Sequence, residues 1–94
     1  MEEMEWKSYE NLSRDLRVFA HPIRICIVRE LMNNEECRIN ELSNILRIHP
    51  TTISQHLWKL KGRNLVMCRK KGSVRVYRAC HETMNQITTI LMRE

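Results

Sequence analysis

The hydrophobic period of this chain changes near residue 64, and that change limits the fold more than any other feature. Up to residue 63, apolar side chains recur at spacings of three and four, the signature of helices that each bury one face. Between 65 and 79 they alternate with basic residues around Lys71-Gly72-Ser73, which reads as a hairpin with glycine supplying the turn. A last helical segment follows. The expected fold is mostly α with one small β-hairpin, in the order ααααββα.

Prolines and polar pairs divide the helical part. Trp6, Tyr9, Leu12, Leu16 and Phe19 form the stripe of a helix over about 6–20. His21-Pro22 interrupts it, because a proline disfavours helix at the residue before it and suits the first turn of the next. The second helix runs from Pro22 to about Met32, with Ile23, Ile27, Val28 and Leu31 inward and Asn33-Asn34 at its end. A short third helix covers about Asn40 to Arg47, capped by Asn40, with Leu42, Ile45 and Leu46 inward. Pro50 opens a fourth, reaching about Arg63 and burying Ile53, Leu57 and Leu60. Two helices joined by so tight a turn form a helix-turn-helix over about 40–63. With the basic hairpin at about 65–79, the pattern is a winged helix. In the hairpin Val74 and Val76 are expected to face the core, with Arg75 and Tyr77 on the polar side. The final helix, about 82–93, carries Met84, Ile87, Ile90 and Leu91.

Ninety-four residues make one domain, 1–94. A domain of this size buries only about 60–65% of the surface its unfolded chain exposes. The first and last helices carry more apolar surface than so thin a core needs. Pairing of Trp6, Tyr9, Leu12, Leu16, Met84, Ile87, Ile90 and Leu91 with their copies would cover it, so a homodimer is expected. No uncharged run approaches the ~20 residues of a membrane span, and the acidic start, Met1 to Glu5, does not resemble a secretory signal. A cytoplasmic location, with thiols reduced and no membrane partner, is the expectation.

Charge is the strongest pointer to a partner. The net value is +5, and no Asp or Glu occurs between Glu41 and Glu82, a window holding nine Lys and Arg residues. A half-molecule of one sign implies a polyanion; the alternative is a solvated basic surface. On a helix lying in the major groove of double-stranded DNA, Thr51, Thr52, Ser54, Gln55 and His56 would meet base edges. Gln55 suits a bidentate contact to adenine, and Thr51 or Thr52 a base or a thymine methyl. His56 either faces DNA or packs on the neighbouring helix, while His21 and His49, flanking helix starts, read as structural. Lys59, Lys61 and Arg63 further along, with Lys70, Lys71, Ser73 and Arg75 on the wing, are candidates for phosphates. Trp58 either packs on the wing or lies at the surface.

Several spaced segments carry a family resemblance over about residues 15–80. Phe19-Ala20-His21-Pro22-Ile23-Arg24 resembles the "A-[DH]-P-x-R" signature of ArsR/SmtB-family repressors. Thr52-Ile53-Ser54-Gln55-His56-Leu57-Trp58-Lys59-Leu60 is similar to that family's "T-[VI]-S-x-H-L-x-x-L" recognition helix, and Asn64-Leu65-Val66 stands where the family has "G-L-V". Within the family, "A-H-P-x-R" with "T-[VI]-S-Q-H-L" resembles the PagR-type branch. The resemblance implies a homodimeric, operator-binding transcriptional repressor, often released by metal or by thiol oxidation. Neither inherited metal site is complete. Cys37-Arg38-Ile39 lacks the second thiol of the family's "C-x-C", and His81 and Glu82 have no late histidine to join them. No metal and no cofactor is therefore expected.

The four cysteines show no paired spacing. Cys26 reads as a small core residue, and Arg69 beside Cys68 would favour its thiolate. With a turn at Lys71-Gly72, Cys68 falls opposite about Arg75, which leaves a Cys68–Cys80 bridge out of register. For a redox switch, Cys26 and Cys80 are the nearest equivalents of the family's oxidant-sensing pair. Two alternatives remain: the same repressor with a thiol- or metal-responsive switch, or a winged-helix module for protein–protein contact. An enzyme is not expected, since no catalytic residue set, no paired carboxylates and no glycine-rich phosphate loop appear.

Overall fold

The computed structural model describes residues 1–92. Its elements are α1 (Glu3–Phe19), α2 (Pro22–Asn33), α3 (Ile39–Leu46), α4 (Pro50–Gly62), β1 (Val66–Lys71), β2 (Val74–Ala79) and α5 (His81–Leu91). This is the expected ααααββα order. The end of the expected last helix, Arg93, lies outside the described residues. No helix among them is long and apolar enough to cross a membrane.

Local chemistry sets each boundary. Glu3 and Glu5 in the first turn of α1 favour its positive N-terminal end, so the helix begins ahead of its apolar stripe. Before each proline-led helix a histidine acts as the cap. His21 Nδ1 accepts from the Ile23 N–H at 3.2 Å, and His49 Nδ1 accepts from the Thr51 N–H at 3.1 Å. Asn34 closes α2 with its side-chain amide and its backbone N–H, both donating to the Glu30 carbonyl. The expected Asn40 cap of α3 is corrected: Arg38 is the N-cap residue, and Glu41 reaches back to accept its N–H at 3.0 Å. Arg47 ends α3 in the left-handed region, at φ 56°. The turn into α4 is pinned by the Ser43 hydroxyl, which donates to the Ile48 carbonyl at 2.6 Å.

The core lies where α2, α3, α4 and the hairpin meet. Ile27, Leu31, Leu42, Ile53, Leu57, Leu60, Leu65 and Val66 are its fully buried large side chains. Two inward assignments are corrected. Ile45 is 51% exposed, because an eight-residue helix turns only the strip around Leu42 and Leu46 to the core. Cys26 is also exposed; the buried face of α2 runs through Ile27, Val28 and Leu31 instead.

The antiparallel hairpin turns through Gly72-Ser73, with Gly72 at φ 68°, and pairs Val66 with Ala79, Cys68 with Tyr77 and Lys70 with Arg75. This register corrects two expectations. Cys68 stands opposite Tyr77, not Arg75, because the loop has two residues. The core face is the one bearing Val66, Cys68, Tyr77 and Ala79, rather than Val74 and Val76. Val76 is still buried, on the opposite face, in the region lined by Asn34, Glu36 and Arg38. The cause is a third extended segment. Cys37 pairs with Tyr77 through two backbone hydrogen bonds, 2.9 and 2.8 Å, so β2 is bonded along both edges, and Glu36 and Arg38 beside Cys37 border Val76. Cys37 is buried there, which pushes its thiol pKa up.

A Schellman motif carries α4 into the hairpin. Leu65 N–H donates to the Leu60 carbonyl and Asn64 N–H to the Lys61 carbonyl, both at 3.0 Å, with Asn64 left-handed at φ 58°. Leu60 and Leu65, the pair such a motif brings together, are both buried. Asn64 stands where the family has glycine because asparagine tolerates this conformation better than other side chains. Asn64→Gly should therefore leave stability within about 0.5 kcal/mol, whereas Asn64→Val should cost roughly 1–2 kcal/mol, measured by urea unfolding. Equal stability of the two variants would contradict this account of the turn.

Arg24 links α4 to the rest of the fold. Its Nε donates to His56 Nδ1 at 3.1 Å and one Nη to the Val18 carbonyl at 3.0 Å, while the His21 and His56 ring centroids lie 4.5 Å apart. Desolvation first, then His21, Arg24 and Lys59, lowers the His56 pKa below its ordinary 6.5. The unfolded chain binds that proton more readily, so this contribution is complete above 6.5 and declines as pH falls below it. Melting temperature should drop between about pH 7.5 and about pH 5.5, and His56→Gln, which still offers Arg24 an acceptor, should flatten the slope. An unchanged slope in that variant would place the pH dependence elsewhere.

Candidate nucleic-acid interface

The outer face of α4 follows from its inner one. Ile53, Leu57 and Leu60 are held in the core, which turns Thr51, Ser54, Gln55, Lys59 and Lys61 to solvent. Thr52 is half-buried. The first turn leaves backbone N–H groups without helical partners; Pro50 carries none, and His49 Nδ1 takes that of Thr51. Thr51, Ser54 and Gln55 thus form one exposed polar strip on the first two turns of a helix.

His56 is not on that strip. Its ring is half-buried against α2 and accepts the Arg24 hydrogen bond, so of the two orientations open in the sequence it takes the packed one. Arg63 is also engaged within the chain. Its guanidinium meets the Asp15 carboxylate at 2.9 Å and donates to the Asn11 carbonyl at 3.4 Å, tying the end of α4 to α1. Trp58 lies at the surface, 77% exposed.

The wing carries its charges in two ways. Lys70 and Arg75 are cross-strand partners near the tip, both exposed. Like charges directly opposite on a hairpin are destabilising, and an Nη of Arg75 lies 3.9 Å from Cys68 Sγ. On the other face, Arg69 forms a bidentate pair with Glu36, 2.7 and 2.9 Å, and Lys71 Nζ lies 3.6 Å from the same carboxylate. The Arg69 hydrogen bond holds the Glu36 carboxyl below the usual carboxylate range. Arg69 is therefore turned to Glu36, and Arg75 is the cation beside Cys68. Ser73 is exposed in the loop.

Sequence reasoning missed Glu36 and Arg24. Glu36 gave no periodic signal, since its role depends on the third extended segment. Arg24 stood within a recognised motif, but only the packed orientation of His56 shows what it holds. Among the other candidates, Trp6 is 57%, Tyr9 41%, Leu16 41% and Leu91 60% exposed. Leu12 is buried, while Met84 and Ile87 pack on the core and Ile90 is half-buried. A trough between α1 and α5 is lined by Leu12, Asp15, Ile87 and Ile90. The four cysteines are free thiols. Cys26 is exposed on α2, and half-buried Cys80 has Sγ 3.2 Å from the Thr83 hydroxyl. Among the described residues, no three His, Cys, Asp or Glu side chains are grouped to hold a metal ion.

Comparison with known proteins agrees with this geometry. The family model described as bacterial regulatory protein, arsR family, matches residues 21–67, from the α2 cap into β1. The chain is 32% identical to the transcriptional repressor PagR of Bacillus anthracis over 74 residues, 79% of this chain and 73% of PagR. It is 34% identical to the arsenical resistance operon repressor of Staphylococcus xylosus over 80 residues, 85% and 76% of the two chains. The crystal structure of PagR superposes with a TM-score of 0.77 at 28% identity, covering 92% of this chain and 98% of that one. Reduced HlyU from Vibrio cholerae superposes with a TM-score of 0.78 at 29% identity over the full length of both chains. The fold is the winged helix expected from the change in hydrophobic period, and the chain belongs to the arsR family of bacterial regulatory proteins.

Proposed function

We propose that this protein is a sequence-specific regulator that binds double-stranded DNA as a homodimer and represses transcription. One observation carries the reading: the exposed strip of Thr51, Ser54 and Gln55 lies on the same helix as solvent-facing Lys59 and Lys61, beside a wing that sets Lys70 opposite Arg75. The strip offers short polar groups to base edges, with Gln55 taking an adenine. Lys59, Lys61, Lys70 and Arg75 take phosphates, which adds affinity but no sequence information. Repression follows the two similar proteins named as repressors. Catalysis is not part of this reading.

The functional regions are the helix-turn-helix of α3 and α4, the wing of β1 and β2, and the pairing helices α1 and α5. The pairing assignment rests on Trp6, Tyr9, Leu16 and Leu91, all more than 40% exposed. It is supported by a radius of gyration of 14.4 Å, against about 12 Å for a compact domain of this length. A two-fold dimer calls for a near-palindromic operator with half-sites about one helical turn apart.

Capture of genomic fragments at physiological salt, against excess competitor DNA, tests the reading. A few fragments sharing a palindrome are expected, and failure to retain any duplex would overturn it. On the captured site, Gln55→Ala should cost roughly 1–3 kcal/mol and relax preference at one position per half-site. Lys70→Gln should weaken all duplexes alike and reduce the salt slope by about 0.9 for each phosphate no longer neutralised. In sedimentation, Leu16→Glu with Leu91→Glu should convert a dimer into a monomer that no longer holds the palindrome; an unaltered dimer would move the interface away from α1 and α5.

A further inference from the structure

Trp58 is a large apolar side chain that neither the core nor the pairing helices α1 and α5 explain. Its ring is 77% exposed on α4, where a helix of this amphipathic kind ordinarily carries polar residues. It stands four residues after Ser54 and three after Gln55, so the three share one helix face. Long helical side chains lean toward the N-terminus and lie over the preceding turn. Accordingly, Ser54, Gln55, Trp58 and Lys59 line a single shallow niche. The niche therefore joins an amide, a hydroxyl, an apolar wall and a cation.

The surroundings indicate what fills it. Lys59 and Lys61 flank the ring, and the chain has no acidic residue from 42 to 81, so the complement is an anionic surface with an apolar group exposed on it. The major groove of DNA has that character wherever a thymine methyl projects beside the phosphates. The spacing also fits. Trp58 lies three residues, about 4.5 Å, beyond Gln55 along the helix, comparable with the roughly 3.4 Å between successive nucleotides on one strand.

Building on the DNA-binding reading above, we propose that Trp58 is a specificity-determining residue whose indole packs against the 5-methyl group of a thymine next to the adenine held by Gln55. The pair then reads an A·T-containing step jointly, by hydrogen bonding on one side and apolar contact on the other. The family's recognition-helix pattern leaves this position open, so the preference belongs to this chain's own operator.

Replacing thymines of the captured palindrome one at a time by deoxyuridine tests this, because it removes the methyl and leaves base pairing intact. Wild-type protein should bind roughly three- to fivefold more weakly at one thymine per half-site, the worth of one buried methyl-sized group. Trp58→Ala should show no such weakening at that position, and Trp58→Phe should keep most of it. Circular dichroism of both variants should match wild type, since the ring lies outside the core. A flat deoxyuridine scan on a palindrome that wild type binds would overturn the Trp58 proposal alone, as would a methyl effect at every sensitive thymine that survives unchanged in Trp58→Ala. Absence of any duplex binding by wild type would overturn the DNA-binding reading beneath it.

Discussion

Everything that faces outward on α4 depends on how its inner side is buried. Ile53, Leu57 and Leu60 lock that side against Ile27, Leu31 and Leu42, and a helix with three such positions cannot roll without exposing them. Each large aliphatic side chain withdrawn from water contributes about 1.5–3 kcal/mol. Solvent exposure of Thr51, Ser54, Gln55 and Trp58 is therefore a consequence of core packing. The same burial launches the wing, because Leu60 at the end of α4 and Leu65 at the start of the hairpin sit in one Schellman motif. A recognition surface of two separate elements thus has one mechanical origin.

Much of this was legible in the sequence because it depends on periodicity. The stripes of α1, α2 and α4, the two prolines at helix starts and the glycine of the hairpin turn are local signals, and each gave its element within a few residues. What failed depends on partners distant in sequence. Alternation alone puts Val74 and Val76 on the hairpin's core face and Arg75 and Tyr77 on the polar one. The segment around Cys37, forty residues before Tyr77, pairs with it along the free edge of β2 and brings Asn34, Glu36 and Arg38 around Val76. Cys26 and Ile45 were turned inward by spacing alone, in helices whose buried strips are narrower than a full apolar face.

The candidate interface shows the same division. Exposure of Thr51, Ser54 and Gln55 follows from the α4 period and could be read directly. The orientation of His56 could not, since a histidine suits either face; Arg24, thirty-two residues away, decides it by donating to the ring. That hydrogen bond also connects α4 to the last turn of α1 through the Val18 carbonyl. The Arg24 guanidinium, like that of Arg63, thereby joins the helix that would read DNA to a helix that would pair protomers.

The basic half of the sequence is basic in the structure too, but fewer of its cations are free than the sequence alone implies. Arg63 is engaged by Asp15, and Arg69 and Lys71 by Glu36. Such partly exposed pairs contribute little stability, but they fix where the cations point. They also divide the basic residues by role. Among the described residues, Lys59, Lys61, Lys70 and Arg75 form no ion pair with a carboxylate. Within the wing this split follows the pleat: Arg69 and Lys71 turn to Glu36 on one face, whereas Lys70 and its cross-strand partner Arg75 lie on the other. The face turned to Glu36 is neutralised, and the tip of the core-bearing face keeps its repulsion. A like-charged pair retained at the tip is a local cost that a phosphate would reverse, so the wing's structure is more self-consistent beside a polyanion than alone.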